Sequence, residues 1–202
     1  MRTYRILKRT LDLLVSLVIL GITAPLLVIV TIVSSIIYHG NPLFIQKRIG
    51  QHCREFRLFK YRTMLDIDDE NGIPLPDSQR LNAYGKFLRK TSIDELPQLI
   101  NIFRGELSIV GPRPLLPEYL ELYSKEELTR HDALPGITGW AQINGRNATS
   151  WKKRFEYDLW YVKNRNIWLD LFIMIRTVPA IVLGKGIRQE GQATMERFQG
   201  HK

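Results

Sequence analysis

Twenty-six consecutive residues, Leu13 to Tyr38, carry no charge and are mostly Leu, Ile and Val, and nothing else in this 202-residue chain limits its fold so sharply. As a straight helix the run would reach roughly 39 Å at about 1.5 Å per residue, against a hydrocarbon core of about 30 Å. A cleaved signal segment would have a shorter apolar region ending at a small-residue site, so the run predicts a membrane helix. Pro25, near its middle, cannot donate to the Gly21 carbonyl, and its ring crowds that turn, which predicts a kink or break. Arg2, Arg5, Lys8 and Arg9 precede the run, and Lys47, Arg48, Arg54 and Arg57 follow it. Basic flanks favour the cytoplasmic side, so two of them are best satisfied when the segment enters and turns back. Ser16, Thr23 or buried protein could serve the broken backbone. A Pro-kinked span is the alternative. Asp12, at the base, is expected to pair with Lys8 or Arg9.

The remaining length allows one further domain, giving a membrane segment over 1–40 and a single domain over 41–202. The net charge of +9 divides into +3 and +6 between these parts. Both suit anionic lipid, a phosphorylated substrate or nucleic acid. The single cysteine, Cys53, rules out an internal disulfide and a cysteine-rich zinc site. The four histidines show no pair at helical metal-ligand spacing. Aromatic residues are not interleaved with cations in a recognisable nucleic-acid module, which argues against such a partner.

Alternation over Phe56 to Arg62 predicts a strand, with Lys60 and Arg62 on one face as phosphate ligands or as a solvated surface. Asp66 to Gly72 has acidic calcium-loop spacing, but Asn71 and Asp77 occupy the positions that need glycine and glutamate, so it reads as a surface loop. An amphipathic helix is expected through Leu81, Tyr84, Phe87 and Leu88. A second runs through Leu96, Leu99, Ile100 and Phe103, stopped by Gly105, and a third lies within Leu116 to Leu128. Pro135 to Gly139 reads as loop, and Trp140 to Arg146 as a short strand and turn. The apolar stretch Ile167 to Leu183, interrupted by Asp170, Arg176 and Pro179, suits either a helix in the headgroup region or a core helix.

Adjacent carboxylates, Asp94 and Glu95, are the main candidates for chemistry. Ser92-Ile93-Asp94-Glu95 fits a capping box, in which both acids serve only to start a helix. The same helix start offers free N–H groups to a phosphate approaching a carboxylate. Mg²⁺ is the natural ion for screening two anions beside a diphosphate. Arg113, fixed between Pro112 and Pro114, has a planar fork suited to phosphate, and Arg89 and Arg146 are further candidates.

Taken in order, Lys8-Arg9, Phe59-Lys60-Tyr61-Arg62-Thr63-Met64, Ser92 to Gln98, Val110 to Pro114, and Pro135 to Gly139 continuing through Asn144 to Asn147 resemble the bacterial sugar transferases. The similarity is specifically to the small monotopic polyprenyl-phosphate phosphoglycosyl transferases and runs from about Lys8 to Glu190-Gly191-Gln192-Ala193-Thr194. The resemblance implies that Asp94 attacks the sugar-bearing phosphorus of a UDP-sugar and releases UMP. The phosphosugar then passes to undecaprenyl phosphate. It further implies Mg²⁺ on Asp94, a positioning or proton-handling role for Glu95, and a re-entrant helix at the cytoplasmic face of a bacterial inner membrane. Two positions depart from the family pattern. Ala24-Pro25 stands where Ser-Pro is common, and Leu134 where a basic residue often precedes Pro-Gly-Ile-Thr-Gly.

The expected fold class is α+β, mainly helical, with a re-entrant membrane helix and a small catalytic domain of short strands and interfacial amphipathic helices. The expected donor is an N-acetylated amino sugar, with hexose 1-phosphate transfer for capsule or exopolysaccharide as the alternative. A noncatalytic basic adaptor on anionic bilayer is the competing class, predicting salt-sensitive lipid binding.

Overall fold

The computed structural model describes residues 2–145, 149–182 and 197–200. It is mostly helical with two small sheets. The first helix, α1 (Arg2–Ile37), includes Pro25, so the proline does not end the helix. Proline removes one i to i−4 bond there, and long stretches of Leu, Ile and Val carry the helix on both sides. One stripe of α1 is buried, through Asp12, Ser16, Val30 and Ser34, and Tyr38 beyond its end is buried as well. Val15, Ile19 and Leu20 pack into the main core, and Leu27 and Val30 into a second core with Tyr61 and Leu88. The opposite face exposes Leu17, Val18, Ile22, Val28, Ile29, Ile32 and Ile36, with Ile22 at 76%. Of the described helices, only this one is long and apolar enough to cross a membrane.

Strands β1 (Leu43–Ile49) and β2 (Glu55–Tyr61) form an antiparallel hairpin, matching the strand expected from the alternation. An acidic loop follows, in which the Asp69 carboxylate accepts from Asn71 and Ile73 N–H. After a single turn, α2 (Asp77–Arg80), comes α3 (Ala83–Thr91), capped by the Asn82 side chain accepting from Gly85 N–H at 2.7 Å. Leu81 and Leu88 are buried as the amphipathic pattern predicts, but Phe87 is exposed.

A 3₁₀ segment, Ile93–Gln98, leads into α4 (Leu99–Arg104), which ends on Gly105 in the left-handed conformation at φ 78°. Leu99 and Ile102 face the core, whereas Ile100 and Phe103 are exposed. The helical stretch expected within 116–128 is broken into a 3₁₀ segment, Pro117–Leu122, and α5 (Lys125–Leu128). Extended Tyr123 separates them, and a capping box between Ser124 and Glu127 restarts the chain.

The expected loop at 135–139 is in fact largely a strand. β3 (Ser108–Val110) pairs in parallel with β4 (Gly136–Thr138), with Ser108 opposite Gly136 and Val110 opposite Thr138. A Cβ at Gly136 would overlap Gly111 N and backbone of Val110, so the approach of these segments requires glycine. The expected strand after it is also corrected: α6 (Trp140–Ile143) is a helical turn. Its Trp140 stacks on Trp160 of α7 (Trp151–Asn164), with ring centroids 4.5 Å apart.

The last described helix, α8 (Ile167–Val182), buries Asp170 and Ile173 and exposes Trp168, Phe172, Ile175 and Val178. It thus has a core face, as the core-helix reading expects, and an apolar outer face. The base of α1 is bound to this domain by polar contacts. Lys8 pairs with Asp170 at 2.8 Å, Tyr4 and Tyr161 donate to the same carboxylate, and Arg9 donates to the carbonyls of Ile102 and Phe103. Asp12 accepts from Ser108 Oγ and Ile109 N–H, both at 3.0 Å, in place of the expected bond with Lys8 or Arg9.

Candidate functional site

The hairpin register puts Phe56, Leu58 and Lys60 of β2 on one face, opposite Arg48, Gln46 and Phe44 of β1. Phe56 and Leu58 join the main core, and the same face continues outward to Lys60. There it meets the start of the Ile93–Gln98 segment. Lys60 Nζ lies 2.7 Å from Glu95 Oε1.

Arg113 reaches the same oxygen from the other side at 2.7 Å. Its backbone is held on several counts: Gly111 N–H donates to Thr138 O, Gly136 N–H donates to Pro112 O, and Arg130 donates to the Arg113 carbonyl at 2.8 Å. Arg130 is itself fixed by a buried bond to Asp158 at 2.6 Å. The short parallel sheet and this buried pair therefore aim a side chain that proline on either side already restricts.

The capping-box reading of Ser92 is overturned. Its backbone is left-handed at φ 58° where an N-cap requires extended geometry, and its side chain makes no cap bond. Glu95 pairs with two cations instead of reaching back to Ser92. Asp94 is only 8% exposed, and its carboxylate makes no hydrogen bond or ion pair among the described residues, while its neighbour is doubly paired. The short segment thus separates two adjacent acids into a clamped one and a free one.

Electrostatics widen that difference. Burial, and then repulsion from Glu95, push the Asp94 carboxyl up to about 6, against the pull of Lys60, Arg89 and Arg113. Burial acts to raise Glu95 as well, but attraction and hydrogen bonds from Arg113 and Lys60 outweigh it and hold Glu95 below the usual carboxylate range. Arg113 is raised in turn by Glu95. At neutral pH the site offers an ionised, poorly solvated carboxylate whose lone pairs are uncommitted. That is the state a carboxylate nucleophile needs.

The two cations that clamp Glu95 also line a small open cleft, with Arg48, Leu58, Gln98 and Pro114 completing its wall beside Lys60 and Arg113. Three cations face it, and Glu95 offsets only part of their charge. In the sequence Arg48 is one of the charges flanking the apolar run. The missed signal is its alternation with Gln46, which places both on the face that carries Lys60 once the strands are paired.

The other expected site residues are distributed unevenly. Arg89 donates to Thr63 Oγ1 at 3.0 Å and contributes to the field at Asp94. Arg62 lies past the end of β2 and pairs with Asp66 at 2.6 Å, away from Glu95. Arg146 and residues 190–194 lie outside the described residues. Lys8 and Arg9 bind the domain, and Pro25 lies within the apolar stretch of α1, on its exposed side.

No group of three His, Cys, Asp or Glu able to hold a metal is present among the described residues. Asp94 offers an oxygen donor without another partner, so the chain would contribute one carboxylate to a hard cation whose other ligands are phosphate oxygens and water. Mg²⁺ fits such a donor set, since it keeps several waters and commonly takes few protein ligands.

Comparison with known proteins gives a consistent result. The family model described as bacterial sugar transferase matches residues 3–184. An uncharacterized sugar transferase, EpsL of Bacillus subtilis, is 50% identical over 196 residues, covering 96% of both chains. A UDP-N-acetylgalactosamine-undecaprenyl-phosphate N-acetylgalactosaminephosphotransferase of Aeromonas hydrophila is 32% identical across 92% of this chain and 46% of its own length. An undecaprenyl-phosphate glucose phosphotransferase of Komagataeibacter xylinus is 39% identical across 88% and 36%. This chain spans less than half of the latter two.

Proposed function

Because the chain belongs to the bacterial sugar transferase family, we propose that it moves a sugar 1-phosphate from a UDP-sugar to undecaprenyl phosphate and releases UMP. The observation that carries this reading is the buried, unpaired Asp94 carboxylate beside a cationic cleft. An Asp94 oxygen attacks the sugar-bearing phosphorus, the bond to the UMP oxygen breaks, and UMP leaves with the electron pair. The product is an aspartyl-linked phosphosugar. An oxygen of undecaprenyl phosphate then attacks the same phosphorus and returns Asp94 as a carboxylate. Glu95 holds Lys60 and Arg113 in position. Mg²⁺ bound by Asp94 and the diphosphate would supply charge neutralisation.

The placement of α1 supports a re-entrant anchor at the cytoplasmic face. Its first turns bind Asp170, Ile102 and Phe103, and near its end Ser34 bonds Tyr84, while Tyr38 just beyond it bonds Asn82. Both ends touch the same domain, which a span with ends on opposite sides of a bilayer would not do. The apolar outer faces of α1 and α8 suit lipid contact.

An N-acetylated amino sugar is the donor in this reading. A hexose donor is a second reading, favoured by the likeness to a glucose phosphotransferase. Incubating the protein with Mg²⁺ and a panel of UDP-sugars, without acceptor, should release about one equivalent of UMP and add the phosphosugar mass to Asp94. Undecaprenyl phosphate should then permit turnover. An Asp94→Asn variant that still releases UMP at the wild-type rate would sink the mechanism. Lipid binding with no UMP release from any donor would favour the noncatalytic adaptor.

A further inference from the structure

The cleft beside Asp94 contains more positive charge than the two acids there neutralise. Lys60 and Arg113 share Glu95 Oε1, whereas among the described residues Arg48 has no carboxylate bonded to it. Its bond at 2.6 Å goes to the neutral Gln46 side chain, and its buried Nε has no partner among the described residues. Burial, and then the nearby Arg113, push the Arg48 guanidinium down to about 10. Keeping an arginine partly desolvated beside another cation costs free energy, and an anion entering the cleft would offset that cost. The guanidinium is also suited to phosphate, because its planar fork can bind two oxygens together.

We propose that Arg48 binds the phosphate that departs with the nucleotide, and then the acceptor phosphate that takes its place. This rests on the double-displacement reading. In each in-line displacement the entering and leaving oxygens lie on opposite sides of phosphorus. Asp94 displaces UMP in the first step and is itself displaced in the second. The acceptor must therefore attack from the side that UMP vacated. Lys60 and Arg113 are already engaged by Glu95, leaving Arg48 as the cleft cation with uncommitted charge for both phosphates.

The test uses the full chain in detergent, with wild type, Arg48→Gln and Arg48→Lys compared for UMP binding by calorimetry and for both halves of the reaction. Arg48→Gln should weaken UMP about 10- to 100-fold, as expected for loss of a charged phosphate contact. It should slow both Asp94 labelling and discharge to undecaprenyl phosphate by comparable factors, with Arg48→Lys recovering part of each loss. The unfolding temperature of Arg48→Gln should match or exceed that of wild type, because no carboxylate pair is lost. UMP affinity within twofold of wild type would overturn the proposal, as would slowing of labelling with discharge unaffected. Failure of the wild type to label with any UDP-sugar would instead overturn the transfer reading, and UMP binding reads Arg48 independently of that result.

Discussion

Replacing Asp94 with asparagine should make the protein inactive and more stable, and the gain should depend on pH. In the folded chain the carboxyl is raised from 3.8 to about 6 by burial and by Glu95. A group raised in this way contributes stability that is fully present below its unfolded pKa and is lost as pH rises through its folded value. Two units correspond to about 3 kcal/mol that ionised Asp94 costs the fold above about pH 7. Asparagine keeps the shape without the charge. The variant should therefore gain up to about 3 kcal/mol at pH 8, or roughly 6–12 °C for a chain of this size, with little gain near pH 4. Thermal unfolding in one detergent at pH 4, 6 and 8 gives the comparison. A variant less stable than wild type at pH 8, or a difference independent of pH, would refute the electrostatic account of Asp94.

The UMP burst measured without added metal should fall about tenfold per unit below pH 6, because only ionised Asp94 attacks; adding Mg²⁺ should move that limb to lower pH. Glu95→Gln leaves Lys60 and Arg113 without their shared carboxylate, and chemical denaturation should show a loss of roughly 3 kcal/mol, together with slower labelling. Asp158→Asn removes the buried partner of Arg130, which holds the Arg113 carbonyl. It should cost about 3–5 kcal/mol and raise the KM for UDP-sugar, and a KM equal to wild type would show that Arg113 is positioned without it. Gly136→Ala forces a methyl into the Gly111 backbone, so soluble yield and labelling should both collapse, whereas Gly21→Ala, within α1 and with nothing near its added Cβ, should express normally.

Features that depend on nearest neighbours and periodicity were legible in the chain. The long helix follows from 26 uncharged residues, the β2 strand from its alternation, and the end of α4 from Gly105. The motif order around Asp94 and Arg113 identified the family. The misread segments are those where distant backbone decides the outcome. Pro135 to Gly139 has loop composition, yet Gly136–Thr138 becomes a strand because Ser108–Val110 provides a parallel partner. Ser92 has N-cap composition, but the turn between α3 and Ile93–Gln98 forces it into the left-handed region, where capping geometry is lost.

The acids show the same division at the level of chemistry. Sequence alone placed Asp94 beside Glu95 with cations available, because adjacency is written in the chain. It did not determine which acid would be clamped. Tertiary structure settled that by bringing Lys60 from the hairpin and Arg113 from the loop after β3 onto Glu95, leaving the Asp94 carboxylate buried without a partner among the described residues. It also made Arg48, which sequence presents as one more charge after an apolar run, part of the cleft wall through its register opposite Phe56. A carboxylate's solvation and a strand's pairing depend on groups tens of residues away, and only the folded chain brings those groups together.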